Sequence, residues 1–336
     1  MKKLRVAVLM GGKSPEHEVS LVTGREVVRN LDKKKYEVLP VVISSDGDRW
    51  QLKPVAQILL HSPAGVEEND HKKSIKGGKA LLPQGQKLPF GFGGSKPEIA
   101  FIAMHGPFGE DGRVQGMLEL AGIAYTGAGV LASALGMDKT MFRKIMIAEG
   151  IAVPECFEIT AKIKFPVVVK PSSQGSSVGV SIVRTKKDLA PALKKALKFG
   201  PQVMIEKYLS GLEVTCGVLG NENPMALPVV EIVPQNEFFD YEAKYNEGKC
   251  REIVPARISE KLTKQVQNLA IRVYKAIDCR GFGRVDMIIS EGKPYVLEIN
   301  TIPGLTPMSL FPKAAAAAGL SYPQLLDRLI ELALEK

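Results

Sequence analysis

The apolar run in RVAVLMGG, near the amino terminus, stops at a pair of glycines, which predicts a buried strand entering a tight turn. Between Glu18 and Asn30 the spacing of Val19, Val22, Val27 and Val28 predicts a helix. YEVLPVVIS is the next strand, and Pro40 predicts an edge or irregular position for it. EIAFIAMHG reads as a strand, VQGMLELAG as a helix and IAYTGAG as a strand running into a turn. Strands alternating with helices imply a parallel, helix-covered sheet through about residue 125. The stretch 51–97 is weakly patterned and rich in Gly, Pro and Lys. A short helix near 54–60 and a mobile or irregular connection near 62–80 are expected there.

Further along, LASALGMDKTMFRKIMIAEG reads as helical, closed by Gly150. FPVVVKPSSQGSSVGVSIV predicts strand, Gly–Ser loop, strand; LAPALKKALKF is an amphipathic helix; QVMIEKYL and LEVTCGVLG are strands. The last section holds strand VVEIV, a polar stretch at 234–252 and a helix at 259–277. It ends in a hairpin made of GRVDMII (283–289) and VLEIN (296–300), then a helix at 321–335. No internal repeat is visible.

That hairpin carries the strongest chemical signal. Side chains two apart on a strand share a face, so Glu298 and Asn300 point the same way. If the strands pair, Asp286 joins them, and three oxygen donors on a rigid support suit magnesium serving nucleotide phosphates. Lys170 ends the strand FPVVVK, placed to meet a phosphate, and the following Gly–Ser loop offers N–H groups at close range. This is no Walker A loop, which needs GxxxxGK[ST] before a helix. Gly175–Gly179 also matches GxSxG, but the β-branched VSIV follows where a nucleophile elbow requires a helix.

Other signals stay open when read alone. Glu206 and Glu213 around a strand end suit an adenine amine and ribose hydroxyls, or simply solvent. Lys244 and Tyr245 in YEAKY suit a phosphate contact, or a solvated loop. GGKSPEHEVS lies beyond the carboxyl end of the first strand, where open α/β sheets bind ligands. Its Glu16, His17, Glu18 and Ser20 are candidates there, some of them merely as helix caps. His105 sits in MHGPFGEDG, a charged, glycine-dense turn of the kind that carries function. PGLTPMSLFP, after Asn300, offers N–H groups to a carboxylate or an oxyanion.

Bulk properties narrow the class. A chain of 336 residues calls for two or three domains. Its hydrophobic content of 45% and charged content of 24% are those of a folded soluble protein, and no apolar run approaches the ~18 residues of a membrane span. The start reads as a strand rather than a leader, so a cytoplasmic location is expected. Cys156, Cys216, Cys250 and Cys279 match no zinc spacing and are expected to be buried free thiols. The net charge of +9 points to anionic small molecules rather than nucleic acid, because the lysine clusters at 71–79 and 184–198 lack interleaved aromatics.

Eight of these segments together resemble the D-alanine–D-alanine ligase family of the ATP-grasp superfamily. They are GGKSPEHEVS (11–20), HGPFGEDG (105–112), GAGVLASALGMDK (127–139), VVVKPSSQGSSVGV (167–180), IEKYLSGLEVT (205–215), DYEAKY (240–245), GFGRVD (281–286) and LEINTIPGLTPMSL (297–310). The resemblance implies an α/β fold of three domains: 1–127 with the parallel sheet, 128–212 as the central ATP-grasp domain and 213–336 as the C-terminal one. It implies ATP held by Lys139 and Lys170 at the phosphates, by Glu206, Tyr208, Leu209 and Glu213 around adenine and ribose, and by Lys244 at the γ-phosphate. Two Mg²⁺, for which Mn²⁺ can substitute, would be held by Asp286, Glu298 and Asn300, with Glu298 bridging.

For the substrates, the resemblance implies that Glu16 takes the ammonium of a first D-alanine, with His105 near it. Ser176 and Tyr245 would join Glu16 in a cluster closing the loop 232–250. Arg284 and the Gly304 N–H would stabilise an oxyanion, and Ser309 and the Leu310 N–H would bind the carboxylate of a second D-alanine. The implied reaction is ATP-dependent formation of D-alanyl-D-alanine through a D-alanyl phosphate, for peptidoglycan precursors. Intact Tyr245 favours the dipeptide over D-alanyl-D-lactate. A homodimer is implied, with neither nucleic-acid nor membrane partners.

Overall fold

The computed structural model describes residues 2–60, 96–158, 162–175, 177–234 and 250–335. They form two compact units, Met1–Val130 with Ile302–Lys336, and Leu131–Thr301.

In the first unit, β1 (Leu4–Gly11), β2 (Tyr36–Ile43), β3 (Trp50–Leu52), β4 (Ile99–Ile102) and β5 (Ala124–Tyr125) form one sheet in the order β3-β2-β1-β4-β5. β1, β2, β4 and β5 run parallel, as the alternation predicts, and β3 is antiparallel to β2. Val6 to Leu9 and all of β4 are solvent-free, which is why these segments read as unbroken apolar runs. Helix α1 (His17–Asn30) lies on β1 so closely that a Cβ at Gly24 would come within 2.5 Å of the Met10 Cβ. The expected helix near 54–60 is α2 (Val55–Leu60); the connection at 62–80 lies outside the described residues.

Pro40 needs a correction. β2 is an interior strand, paired with β1 along its length, Pro40 included. β3 pairs only with Val41 to Ile43, and the Pro40 carbonyl accepts from Lys53 N at the strand's end. The N and C=O of an extended residue face the same side, so the missing N–H falls where the β3 ladder has stopped.

The second unit contains two sheets. β6 (Val167–Pro171), β7 (Ser181–Val183) and β8 (Val203–Lys207) form a small antiparallel sheet in the order β7-β6-β8. Its core of Val167, Val169, Val183 and Ile205 is covered by Ala192 and Ala196 of α6 (Leu189–Ala196). β9 (Leu212–Leu219), β11 (Val230–Pro234), β12 (Cys250–Ile253), β13 (Phe282–Ser290) and β14 (Lys293–Asn300) form the larger sheet, order β12-β11-β9-β13-β14, with β10 (Met225–Ala226) beside β9. One face, with Val214, Cys216, Val285 and Ile299, is apolar and buried. Helix α7 (Glu260–Ala276) lies on this sheet, burying Val266, Ala270, Val273 and Tyr274. The opposite face of β9, β13 and β14 carries the polar residues.

The stretch read as continuous helix is two helices, α4 (Val130–Met137) and α5 (Lys139–Ala148). Asp138 breaks it with an extended backbone, and its carboxylate accepts from Thr140 N and Met141 N as an N-cap. Gly150, at φ 65, closes α5: its N–H bonds Ile147 O, and Ile151 N bonds Met146 O, a Schellman ending. The first unit also holds helices α3 (Arg113–Leu120), α8 (Leu310–Ala317) and α9 (Tyr322–Leu334). Of the thiols, Cys216 and Cys279 are free and buried; Cys156 is free but exposed, contrary to expectation.

Candidate active site

The hairpin β13–β14 turns through Glu291 and Gly292, both at positive φ, a two-residue turn whose twist matches the strands. This turn sets the register. Asp286 lies directly opposite Glu298, and Arg284 opposite Asn300. All four side chains therefore share one face, as expected of the three oxygen donors if the strands pair. An extra residue in β14 shifts the register just beyond Asp286, between Glu298 and Val296. Bulges of this kind re-aim neighbouring side chains and are frequent beside active sites. On the far side of β13, Thr215 of β9 faces Asp286 and Gly217 faces Arg284.

Charges on this face and on the neighbouring small sheet form three close pairs. Arg284 grips Asp286 through two parallel bonds, Nε to Oδ1 and Nη2 to Oδ2, each 2.8 Å. Lys139, the first residue of α5, places Nζ 2.9 Å from Glu298 Oε2 and donates to the Gln174 carbonyl at 2.7 Å. Lys170 on β6 places Nζ 2.7 Å from Glu206 Oε2 on the neighbouring β8. Lys139, Lys170, Glu206 and Asp286 are all buried. Burial alone depresses the Lys170 pKa, but the charges of Glu206 and Glu298 outweigh it and hold the ammonium above its ordinary value. Lys170 thus stays cationic while buried.

Tyr208 and Leu209 follow β8 and are half-buried, the Tyr208 N–H bonding Pro166 O. Glu213 lies on β9, on the same face as Thr215. Ser176, Lys244 and Tyr245 lie outside the described residues. The donor set fits a hard divalent cation: two carboxylates and one amide, all oxygen donors, project from one rigid hairpin.

In the first unit, β1 turns through Gly11 and Gly12 into α1. A Cβ at Gly11 would lie 2.3 Å from Ile43 O, so only glycine fits this turn, at φ 85. Ser20 accepts from Gly11 N at 2.8 Å and donates to Ala103 O at 2.7 Å; it ties the ends of β1 and β4 together rather than capping α1. His17 Nδ1 donates to Gly12 O at 2.8 Å. Glu16 is buried, and a Cβ at Gly106 would sit 2.5 Å from its Oε2, so glycine there makes room for the carboxylate.

His105 is almost wholly buried. Its Nε2 bonds Thr23 Oγ1 at 2.9 Å, its Nδ1 donates to Ile302 O at 3.2 Å, and Glu110 Oε1 is 3.5 Å from Nδ1. Burial disfavours the imidazolium, but Glu110 and then Glu16 outweigh it, and the His105 pKa is raised. Burial and the Glu16 charge raise that of Glu110 in turn. Ser309 precedes α8 without capping it; its Oγ shares a 2.7 Å bond with Thr306 Oγ1. The Leu310 N–H opens α8, among the first-turn donors that have no intrahelical acceptor. A Cβ at Gly304 would lie 3.0 Å from Ser309 Oγ.

Three partners escaped the sequence reading: Glu110 and Thr23 around His105, and Thr215 beside Asp286. Glu110 stands within HGPFGEDG, and Thr215 follows Glu213 by one strand repeat, so both were signalled by motif and parity. Thr23 reaches His105 only through tertiary folding.

Comparison with known proteins bears on the whole chain. Residues 5–128 match the family model for the D-ala D-ala ligase N-terminus, and residues 131–331 that for the D-ala D-ala ligase C-terminus. A D-alanine–D-alanine ligase of Desulforudis audaxviator is 42% identical over 344 residues, spanning 99% of each chain. Among solved structures, a D-alanine–D-alanine ligase from Bacillus anthracis complexed with ATP shares 35% identity at a TM-score of 0.73, covering 98% of this chain and 97% of that one. A D-Ala:D-Ser ligase from Enterococcus faecalis shares 34% identity at a TM-score of 0.81, covering 99% and 100%. The fold is that of an ATP-grasp enzyme, and the chain belongs to the D-alanine–D-alanine ligase family.

Proposed function

We propose that this chain joins two D-alanines at the expense of ATP, making D-alanyl-D-alanine for peptidoglycan precursors. The observation that carries the reading is the register of β13 and β14, which puts Asp286 against Glu298 and Arg284 against Asn300. Lys139 and Lys170 bind phosphate oxygens; Glu206 and Glu213 take the polar edges of adenine and ribose, with Tyr208 and Leu209 around them. Lys244 meets the γ-phosphate. Two magnesium ions, or manganese in their place, would be held by Asp286, Glu298 and Asn300, where they supply positive charge to the phosphates. The three-domain division at 127/128 and 212/213, a homodimer and a cytoplasmic location belong to the same reading. Among the described residues no helix is long and apolar enough to cross a membrane.

The chemistry runs in two transfers. The carboxylate of the first D-alanine, its ammonium held by Glu16 beside His105, attacks the γ-phosphorus. The bond to ADP breaks, leaving D-alanyl phosphate. Lysine cations offset the charge on the transferring group. The neutral amine of the second D-alanine, its carboxylate held by Ser309 and the Leu310 N–H, then attacks the acyl carbon. Arg284 and the Gly304 N–H carry the oxyanion, phosphate leaves, and the amine gives up its proton. Ser176 and Tyr245 hold the 232–250 loop closed with Glu16 and keep water from the acyl phosphate.

A second reading, D-serine as the second amine, draws support from the similarity to the Enterococcus faecalis D-Ala:D-Ser ligase. The test is phosphate release from Mg-ATP with D-alanine alone, with D-alanine plus D-serine and with D-alanine plus D-lactate, products being identified by mass. One D-alanyl-D-alanine per phosphate is expected. A mixed dipeptide or an ester as the main product would overturn the assignment of the second substrate. No D-alanine-dependent phosphate release would overturn the reaction itself.

A further inference from the structure

We propose that Thr215 is a positioning residue for the divalent-cation site, acting through Asp286. The proposal rests on the reading of Asp286, Glu298 and Asn300 as cation ligands. Thr215 stands on β9 directly opposite Asp286, and Asp286 directly opposite Glu298, so the three form one row across three strands. Its hydroxyl is buried, with Asp286 Oδ1 at 2.6 Å and Val285 O at 3.2 Å. A hydroxyl has one proton to give, and the shorter distance assigns it to the carboxylate.

The geometry then decides which oxygen is left for a cation. Among the described residues, Oδ1 accepts from Thr215 and from Arg284 Nε, and Oδ2 accepts from Arg284 Nη2 alone. A carboxylate oxygen offers about two lone-pair directions, so Oδ1 is filled and Oδ2 keeps one free. Arg284 alone fixes the plane of the carboxylate. Thr215 adds a donor from the opposite strand and stops the group from sliding along the guanidinium. A β-branched residue suits this task, because a strand restricts its χ1 and so the direction of its hydroxyl. Such supporting bonds commonly set cation affinity by 10- to 100-fold, roughly, without touching the ion.

The test uses the full chain and Mn²⁺ as probe. Free Mn²⁺ is followed by electron paramagnetic resonance during titration with a non-hydrolysable ATP analogue present. Thr215→Val keeps shape and removes the hydroxyl; it is expected to weaken Mn²⁺ binding by about 10- to 100-fold. Thr215→Ser is expected to restore most of the loss. The Mg²⁺ concentration for half-maximal turnover should rise by the same factor in Thr215→Val, with turnover recovering at high Mg²⁺. If Thr215→Val does not fold, Thr215→Ala carries the same expectation. Unchanged Mn²⁺ affinity in the hydroxyl-free variant, or a serine variant as weak as it, would overturn the role of Thr215. Glu298→Gln is the reference: its affinity loss beside an unaffected Thr215→Val would leave the cation site standing and remove only this proposal. Full Mn²⁺ affinity in Glu298→Gln would overturn the cation site itself.

Discussion

Replacing Lys170 by Met is expected to cost far more stability than replacing Lys170 and Glu206 together. Both side chains are about nine-tenths or more buried, at 10% and 6% exposure, and their charged atoms are 2.7 Å apart. Lys170→Met leaves the Glu206 carboxylate buried without its cation. Breaking a buried pair from one side costs about 3–5 kcal/mol, whereas replacing both partners with apolar groups of similar volume is often near neutral, and a neutral amide left without a partner costs about 1–3 kcal/mol. At about 1.4 kcal/mol per factor of ten, the single variant should open two to four powers of ten more often. Hydrogen exchange of the β6 and β8 amides localises the effect, since Val168 and Glu206 are direct neighbours across these strands. The Lys170→Met/Glu206→Gln variant is expected to regain part of the lost protection, the cost of a buried charge being replaced by the smaller cost of a buried amide, while remaining poor in ATP binding. A single variant as protected as the parent, or a double variant losing the sum of two single losses, would refute the argument.

Glu110→Gln tests the electrostatics around His105. Both groups have raised pKa values, so the folded state holds protons that the unfolded state releases, and stability falls as pH rises. The His105 contribution is full below 6.5, its ordinary value, and is lost as pH passes through the higher folded value. The slope is about 1.4 kcal/mol per pH unit for each proton. In Glu110→Gln the unfolding free energy measured against pH should flatten, or reverse as burial takes over; an unchanged slope would refute the assignment. Asp138→Ala removes the cap of α5 and is expected to cost about 1 kcal/mol in urea unfolding. It should also raise the KM for ATP, because Lys139 is the first residue of the loosened turn; a normal KM would separate the cap from the site. Gly24→Ala forces a methyl against Met10 and should cost about 1–3 kcal/mol by the same unfolding measurement.

How far the sequence could be read depends on how local each cause is. Strand parity is local, so the shared face of Glu298 and Asn300 was legible from spacing alone; Asp286 joins them because the strands pair in the register that the two-residue turn sets. The apolar runs of β1 and β4 were legible because both strands are buried on two faces. Pro40 misled because the edge rule concerns which N–H faces a partner, and that depends on where β3 ends. The break at Asp138 was hidden in an apolar period that continues through it; a carboxylate two and three residues before the N–H groups that donate to it was the missed sign. The pairings of Lys139 with Glu298 and of Thr23 with His105 span long stretches of chain, and no periodicity encodes them.

Those long-range pairings explain why the site tolerates so many buried charges. Lys139 meets Glu298, Lys170 meets Glu206 and Arg284 meets Asp286, so each of these charges has an opposite charge beside it. A nucleoside triphosphate with two divalent cations is close to neutral. On the proposed roles, binding it would be an exchange: lysines would pass from carboxylates to phosphates, and carboxylates from lysines to cations. Neither partner alone can make this exchange without stranding a buried charge. The same logic separates folding from function in the Lys170→Met/Glu206→Gln variant. Removing both members of a pair strands no buried charge, so the fold is expected to survive. The ammonium that a phosphate would have taken is gone, so nucleotide binding does not.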